Sequence, residues 1–76
     1  MRVLGIDPGL QKLGWGIIDS NGSRLSHVAN GVCKSRGSDL SARLVSLFED
    51  LNFIIKEYRP EIAAIEKTIL SNSKDP

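Results

Sequence analysis

One cysteine, one histidine, one tryptophan, one tyrosine and three prolines are all that this 76-residue sequence holds of those residue types. Cys33 has no second cysteine to pair with and no Cys or His at ligand spacing, which excludes a disulfide scaffold and a structural zinc site. It is expected as a buried thiol rather than a reactive one. Long apolar runs are missing as well: the longest stretch is a few residues, against the ~20 needed to cross a bilayer. Met1 and Arg2 lead directly into Val3 to Ile6 without the apolar segment and cleavage site of a secretory signal. The expectation is a soluble, cytoplasmic chain with no membrane contact. Charge of one sign is also lacking. Ten Lys and Arg against nine Asp and Glu leave a net charge of +1, so the overall balance carries no footprint of a nucleic-acid partner.

What is present is an ordinary globular mixture, 41% hydrophobic and 25% charged, on which a folded domain is expected. A chain of this size buries only about 60% of its unfolded surface, so its stability is marginal. Val3-Leu4-Gly5-Ile6 ends in Asp7-Pro8-Gly9, the pattern of a buried strand stopped by a turn, and predicts a first strand over 2–7. Trp15, Ile17 and Ile18 mark a second strand over 13–19, followed by Asn21-Gly22, a pair that tolerates positive φ in a tight hairpin. A third strand is predicted over 23–33, with Gly31 marking a bulge or a close backbone approach.

From Ser38 the period changes. Leu40, Leu44, Leu47, Phe48, Leu51, Ile54, Ile55 and Tyr58 recur at three- and four-residue spacing, which is helical. Ser38 or Asp39 can cap the first turn, and Arg59-Pro60 ends the helix. Ile62-Ala63-Ala64-Ile65 is a second short apolar run ended by an acid, Glu66, before a polar tail. The whole reads as one βββαβ unit without repeat or linker. A strand, helix, strand connection favours a right-handed parallel crossover, which leaves open the strand that the fourth one joins.

If that neighbour is the first strand, Asp7 and Glu66 stand at the carboxyl ends of adjacent strands, where open α/β sheets place their ligand sites. Two carboxylates at ~4 Å repel by roughly 1–4 kcal/mol at effective dielectric constants of 80 to 20, and a divalent cation offsets that cost. All-oxygen ligation suits Mg²⁺ or Mn²⁺ better than zinc, since His27 is the only histidine and lies outside the pattern. Such a site serves phosphodiester hydrolysis. From the residues alone, Asp7 serves equally well as the start of a turn, and Glu66 as a solvated strand end.

Leu4-Gly5-Ile6-Asp7-Pro8-Gly9-Leu10, followed by Gly14-Trp15-Gly16-Ile17-Ile18, closely resembles the opening of RuvC resolvases, and Ala64-Ile65-Glu66 resembles their second acidic motif. The helix carrying Leu40, Arg43 and Leu44 is similar to the family's first helix, so the resemblance covers the chain to about Thr68. It implies an α/β, ribonuclease H-like mixed sheet whose first and fourth strands are neighbours, incomplete here as a βββαβ portion. It further implies that Asp7 and Glu66 are catalytic, metal-binding carboxylates for Mg²⁺ or Mn²⁺. The substrate implied is a four-way (Holliday) DNA junction, cut by a homodimer in recombination and repair alongside the branch-migration proteins RuvA and RuvB.

Two residues depart from the family pattern. Leu13 stands where a threonine is usual, and Ile69 stands where an aromatic residue is common and is thought to contact DNA; an aliphatic side chain does not stack on a base. Family members run on for roughly another hundred residues that bring further metal-binding aspartates. Residues 1–76 are therefore expected to be the N-terminal part of a nuclease domain whose C-terminal part is missing, inactive by itself. The absent elements would leave apolar surface on the first strand and Ile54 or Ile55 incompletely covered.

Three other readings stay open. Actin-like ATPases and sugar kinases share an apolar strand followed by Asp and a Gly-rich turn, but need a larger two-domain body. A related nuclease acting on other DNA or RNA structures is another, and a non-catalytic interaction module is the third. Trp15 is expected to pack rather than stack on DNA. Lys12, Lys34, Arg36, Lys67 and Lys74 are within the chemistry of phosphate contact, though surface lysines are solvated by default and the sequence singles out none of them.

Overall fold

The computed structural model describes residues 1–9 and 12–65. They form β1 (Arg2–Asp7), β2 (Lys12–Asn21), β3 (Arg24–Lys34), α1 (Leu40–Tyr58) and β4 (Ile62–Ile65). The strands make one mixed sheet in the order β3-β2-β1-β4. β1 is antiparallel to β2 and parallel to β4, pairing Val3 with Ile62 and Ile6 with Ile65. That settles which strand β4 joins. The start of β1 is pinned on both sides: Arg2 N–H donates to Glu61 Oε1 at 2.9 Å, Glu61 N–H returns a bond to the Arg2 carbonyl at 2.8 Å, and the Arg2 guanidinium pairs with Asp19 at 2.8 Å.

Two local features differ from expectation. The hairpin loop is Gly22-Ser23, because Asn21 still pairs with Arg24. Gly22 takes φ +66° while Ser23 does not, so the glycine opens the turn, as in the type II′ geometry that matches strand twist. The irregularity in β3 lies at Val28, which is skipped between the pairs Ile17–Ala29 and Ile18–His27. Gly31 serves the other purpose expected of it. The Trp15 ring lies over it so closely that a Cβ there would meet the ring at 2.9 Å.

Helix α1 starts at Asp39, whose carboxylate accepts from Ala42 N–H at 2.8 Å, and stops at Arg59 in the left-handed region, with its N–H bonded to the Ile55 carbonyl. It covers one face of the sheet. Leu4, Leu13, Ile17 and Cys33 from the strands meet Leu47 and Ile54 from the helix, with Trp15 and Tyr58 at the margin, their ring centroids 5.8 Å apart. Leu4 and Ile17 are fully buried, each worth roughly 1.5–3 kcal/mol of transfer free energy. Burial pushes the Cys33 thiol up from its ordinary range, so it stays protonated. Of the helical stripe, Leu40, Leu44, Phe48 and Ile55 stay exposed. The incomplete cover therefore falls on Ile55 and not on Ile54, while the centre of β1 is closed by Leu4.

The Arg2–Asp19 pair gives a pH-dependent contribution. The guanidinium hydrogen bond holds the Asp19 carboxyl below its ordinary value. A depressed carboxyl stabilises the fold above its unfolded pKa and loses that contribution as pH falls through the folded value. The melting-temperature gap between wild type and Asp19→Asn is expected to be constant near neutrality and to close from about pH 4 downward. A gap that persists in acid would show that the side chain acts through packing instead.

Candidate active site on the glycine floor

Asp7 is the last residue of β1, since Pro8 has no N–H to continue the ladder. Its carboxylate is exposed, on the face opposite α1. Three strand positions around it on that face lack side chains. Gly14 pairs with Asp7, and Gly5 pairs with Gly16. Asn30 stands across from Gly16, and Ala64 across from Gly5. A Cβ added at Gly5, Gly14 or Gly16 would meet nothing closer than 3.7 Å. The result is a broad depression of about 550 Å³ whose floor is sheet backbone and whose rim includes Asp7 and Asn30. His27 Nε2 donates to Asn30 Oδ1 at 2.9 Å, which fixes the amide at the rim. Hydrogen-bonding backbone and few side chains make a surface that another backbone can approach closely.

The second predicted carboxylate, Glu66, lies outside the described residues, as do Ile69, Lys67 and Lys74. Among the described residues no three of His, Cys, Asp or Glu converge. Trp15 lines the depression but packs against the core. The glycine alternation was not singled out in the sequence. Gly5, Gly14 and Gly16 become neighbours only through the β1–β2 register.

The family model of the crossover junction endodeoxyribonuclease RuvC matches residues 3–75. The chain belongs to the RuvC family. It is 61% identical over 93% of its length to the RuvC of Ruegeria pomeroyi, and 52% identical over the same share to that of Cereibacter sphaeroides. It spans less than half of those relatives, 43% and 42% of their lengths. Among solved structures, the Thermus thermophilus RuvC in complex with a Holliday junction substrate superimposes with a TM-score of 0.80 at 27% identity, over 91% of this chain and 43% of that one. The β3-β2-β1-β4 sheet with helix α1 is thus the RuvC arrangement of a ribonuclease H-like fold. No helix among the described residues is long and apolar enough to cross a membrane.

Proposed function

We propose that this chain is the N-terminal part of the nuclease domain of a metal-dependent endonuclease that resolves four-way DNA junctions in recombination and repair, with Asp7 and Glu66 as two of its metal-binding carboxylates. The observation that supports the site is the parallel register: Ile6 pairs with Ile65, and the residues that follow these two in the sequence are Asp7 and Glu66. Hard oxygen donors on an open, wet face suit Mg²⁺ or Mn²⁺, which keep several waters. When bound, such an ion supplies activation of water for attack on the phosphodiester and stabilisation of the leaving oxygen. The chain's own part is to hold two carboxylates side by side and to let a phosphate backbone settle on the glycine floor without meeting side chains.

Two carboxylates leave most of the coordination sphere to water and to further ligands, so the 76 residues alone are inactive. The rest of the domain supplies what completes the site. The working enzyme is a homodimer that acts after branch migration by RuvA and RuvB.

Thermal melting tests the carboxylate pair without requiring activity. A ligand at ten times its Kd stabilises a protein by about 1.4 kcal/mol, which is roughly 5–10 °C for a domain of this size. Mg²⁺ or Mn²⁺ is expected to raise the wild-type melting temperature by that order, and Asp7→Asn or Glu66→Gln to abolish the rise. Joining the C-terminal half of a close relative to this chain is expected to give metal-dependent junction cleavage that either substitution removes. Cleavage retained by Asp7→Asn sinks the assignment.

A further inference from the structure

At the same end of the sheet as Asp7, a second cleft of about 350 Å³ is lined by Lys12, Lys34, Ser35, Gly37 and Arg43. Lys12 opens β2 and Lys34 closes β3, and the two are direct cross-strand partners. Like charges placed opposite one another destabilise a sheet, and among the described residues no acid lines the cleft to relieve them. The third cation comes from α1. Arg43 Nε is buried and has no hydrogen-bond partner among the described residues, an arrangement that costs free energy unless something outside the chain completes it.

The cleft is built rather than incidental. Arg36 N–H donates to Ser46 Oγ at 2.8 Å, and that hydroxyl donates to the Arg43 carbonyl at 2.8 Å, which ties the loop after β3 to the first turns of the helix. Gly37, at φ +129°, brings the loop so near that a Cβ would stand 2.5 Å from the Ala42 Cβ. Arg36 is turned away from the cleft and paired with Asp50 at 2.9 Å. In a chain with ten basic and nine acidic residues, three cations gathered with no acid among the described lining residues mark a site for an anion.

We propose that Lys12, Lys34 and Arg43 bind a phosphate of the DNA backbone next to the one presented to Asp7, an inference that rests on the nuclease reading above. Strand alternation starts Lys12 and Lys34 on the face that carries Asp7, because Gly14 is the partner of Asp7 and lies two residues from Lys12, and the cleft at the ends of β2 and β3 is where Arg43 from the helix side joins them. At sheet spacings of ~4.8 Å between strands and ~3.4 Å per residue, their backbones lie roughly 8–12 Å from that of Asp7. The cleft then fixes the register of the backbone without reading sequence.

The test is fluorescence anisotropy of the 76-residue chain with a labelled four-way junction and with a linear duplex of equal length, titrated across salt concentrations. The Lys12→Gln/Lys34→Gln variant is expected to bind both DNAs about tenfold more weakly at low salt, with a salt slope smaller by about one for each phosphate that is no longer neutralised. The same charge change at Arg24→Gln/Lys56→Gln, away from the cleft, shifts affinity less than about twofold on that basis. The cleft variant should also melt no lower than wild type, since a repulsive pair is gone. Cleft and control variants that behave alike overturn the proposal, as does a wild-type chain that binds neither DNA. Inorganic phosphate that binds the wild type while the cleft variant keeps full DNA affinity also overturns it, by identifying a free-anion site. A wild-type chain that binds duplex as tightly as junction counts against the resolvase reading alone, because the cleft is still scored on the duplex.

Discussion

Ile17→Ala is expected to lower the melting temperature by roughly 10–25 °C, the order that follows from losing a few kcal/mol in a domain of this size. Ile17 is fully buried at the centre of β2, paired with Leu4 on one side and Ala29 on the other, beneath α1. Truncating such a side chain removes its transfer free energy and leaves a cavity, together about 2–5 kcal/mol. Small domains hold roughly 0.05–0.15 kcal/mol per residue, so the loss takes a large share of the total. Ile17→Val, which removes one methylene and leaves the strand propensity intact, is expected to cost about 0.5–1.5 kcal/mol. Circular dichroism melts of the two variants beside wild type give the comparison. A shift below about 5 °C for Ile17→Ala would mean that the site collapses around the smaller side chain.

Gly16→Val is expected to act in the opposite direction on stability and to damage function. The floor position is open: an added Cβ meets Asn30 Cβ at 3.9 Å and the Ala29 carbonyl at 4.0 Å, both ordinary contacts. Glycine within a strand costs roughly 0.5–1 kcal/mol relative to a residue with a side chain, and valine suits a half-buried pleated surface. The 76-residue chain should therefore melt at or above wild type. The branched side chain would fill the depression beside Asp7, and cleavage by the form completed with a relative's C-terminal half should fall more than about tenfold, equivalent to about 1.4 kcal/mol of transition-state stabilisation. Full cleavage by Gly16→Val would show that DNA does not use the floor.

Much of the fold is legible in the residues because its signals are local. The alternation around Trp15 and Ile17, the change of period at Ser38 and the stop at Arg59-Pro60 each act within a few residues, and the elements fall where those signals put them. The neighbour of β4 was not legible from the residues, because the pairing of Val3 with Ile62 joins positions 59 apart in sequence and depends on the crossover as a whole. The family resemblance supplied it. Gly31 could not be assigned between its two uses until the Trp15 ring was placed above it. Incomplete cover of the helical stripe was expected at Ile54 or Ile55, and it extends to Leu40, Leu44 and Phe48 as well.

Asp7 was legible as the acid that ends an apolar run. The glycine floor was not, since its members come from two strands and share only the absence of a side chain. Arg43 was legible only as part of the helix that resembles the family's first one, with no role of its own. Only the path of the loop through Gly37 sets it beside Lys12 and Lys34.

The order of pairing in the sheet also bears on how the molecule assembles. β1, β2 and β3 form a meander in which each strand meets the next after a short connection, so these contacts close small loops. Joining β4 to β1 closes a loop of about sixty residues, at an entropic cost that grows as (3/2)RT ln n. Such long-range contacts tend to form late. The β1–β4 edge beside Asp7 is then expected to be among the last parts of the sheet to take shape during folding.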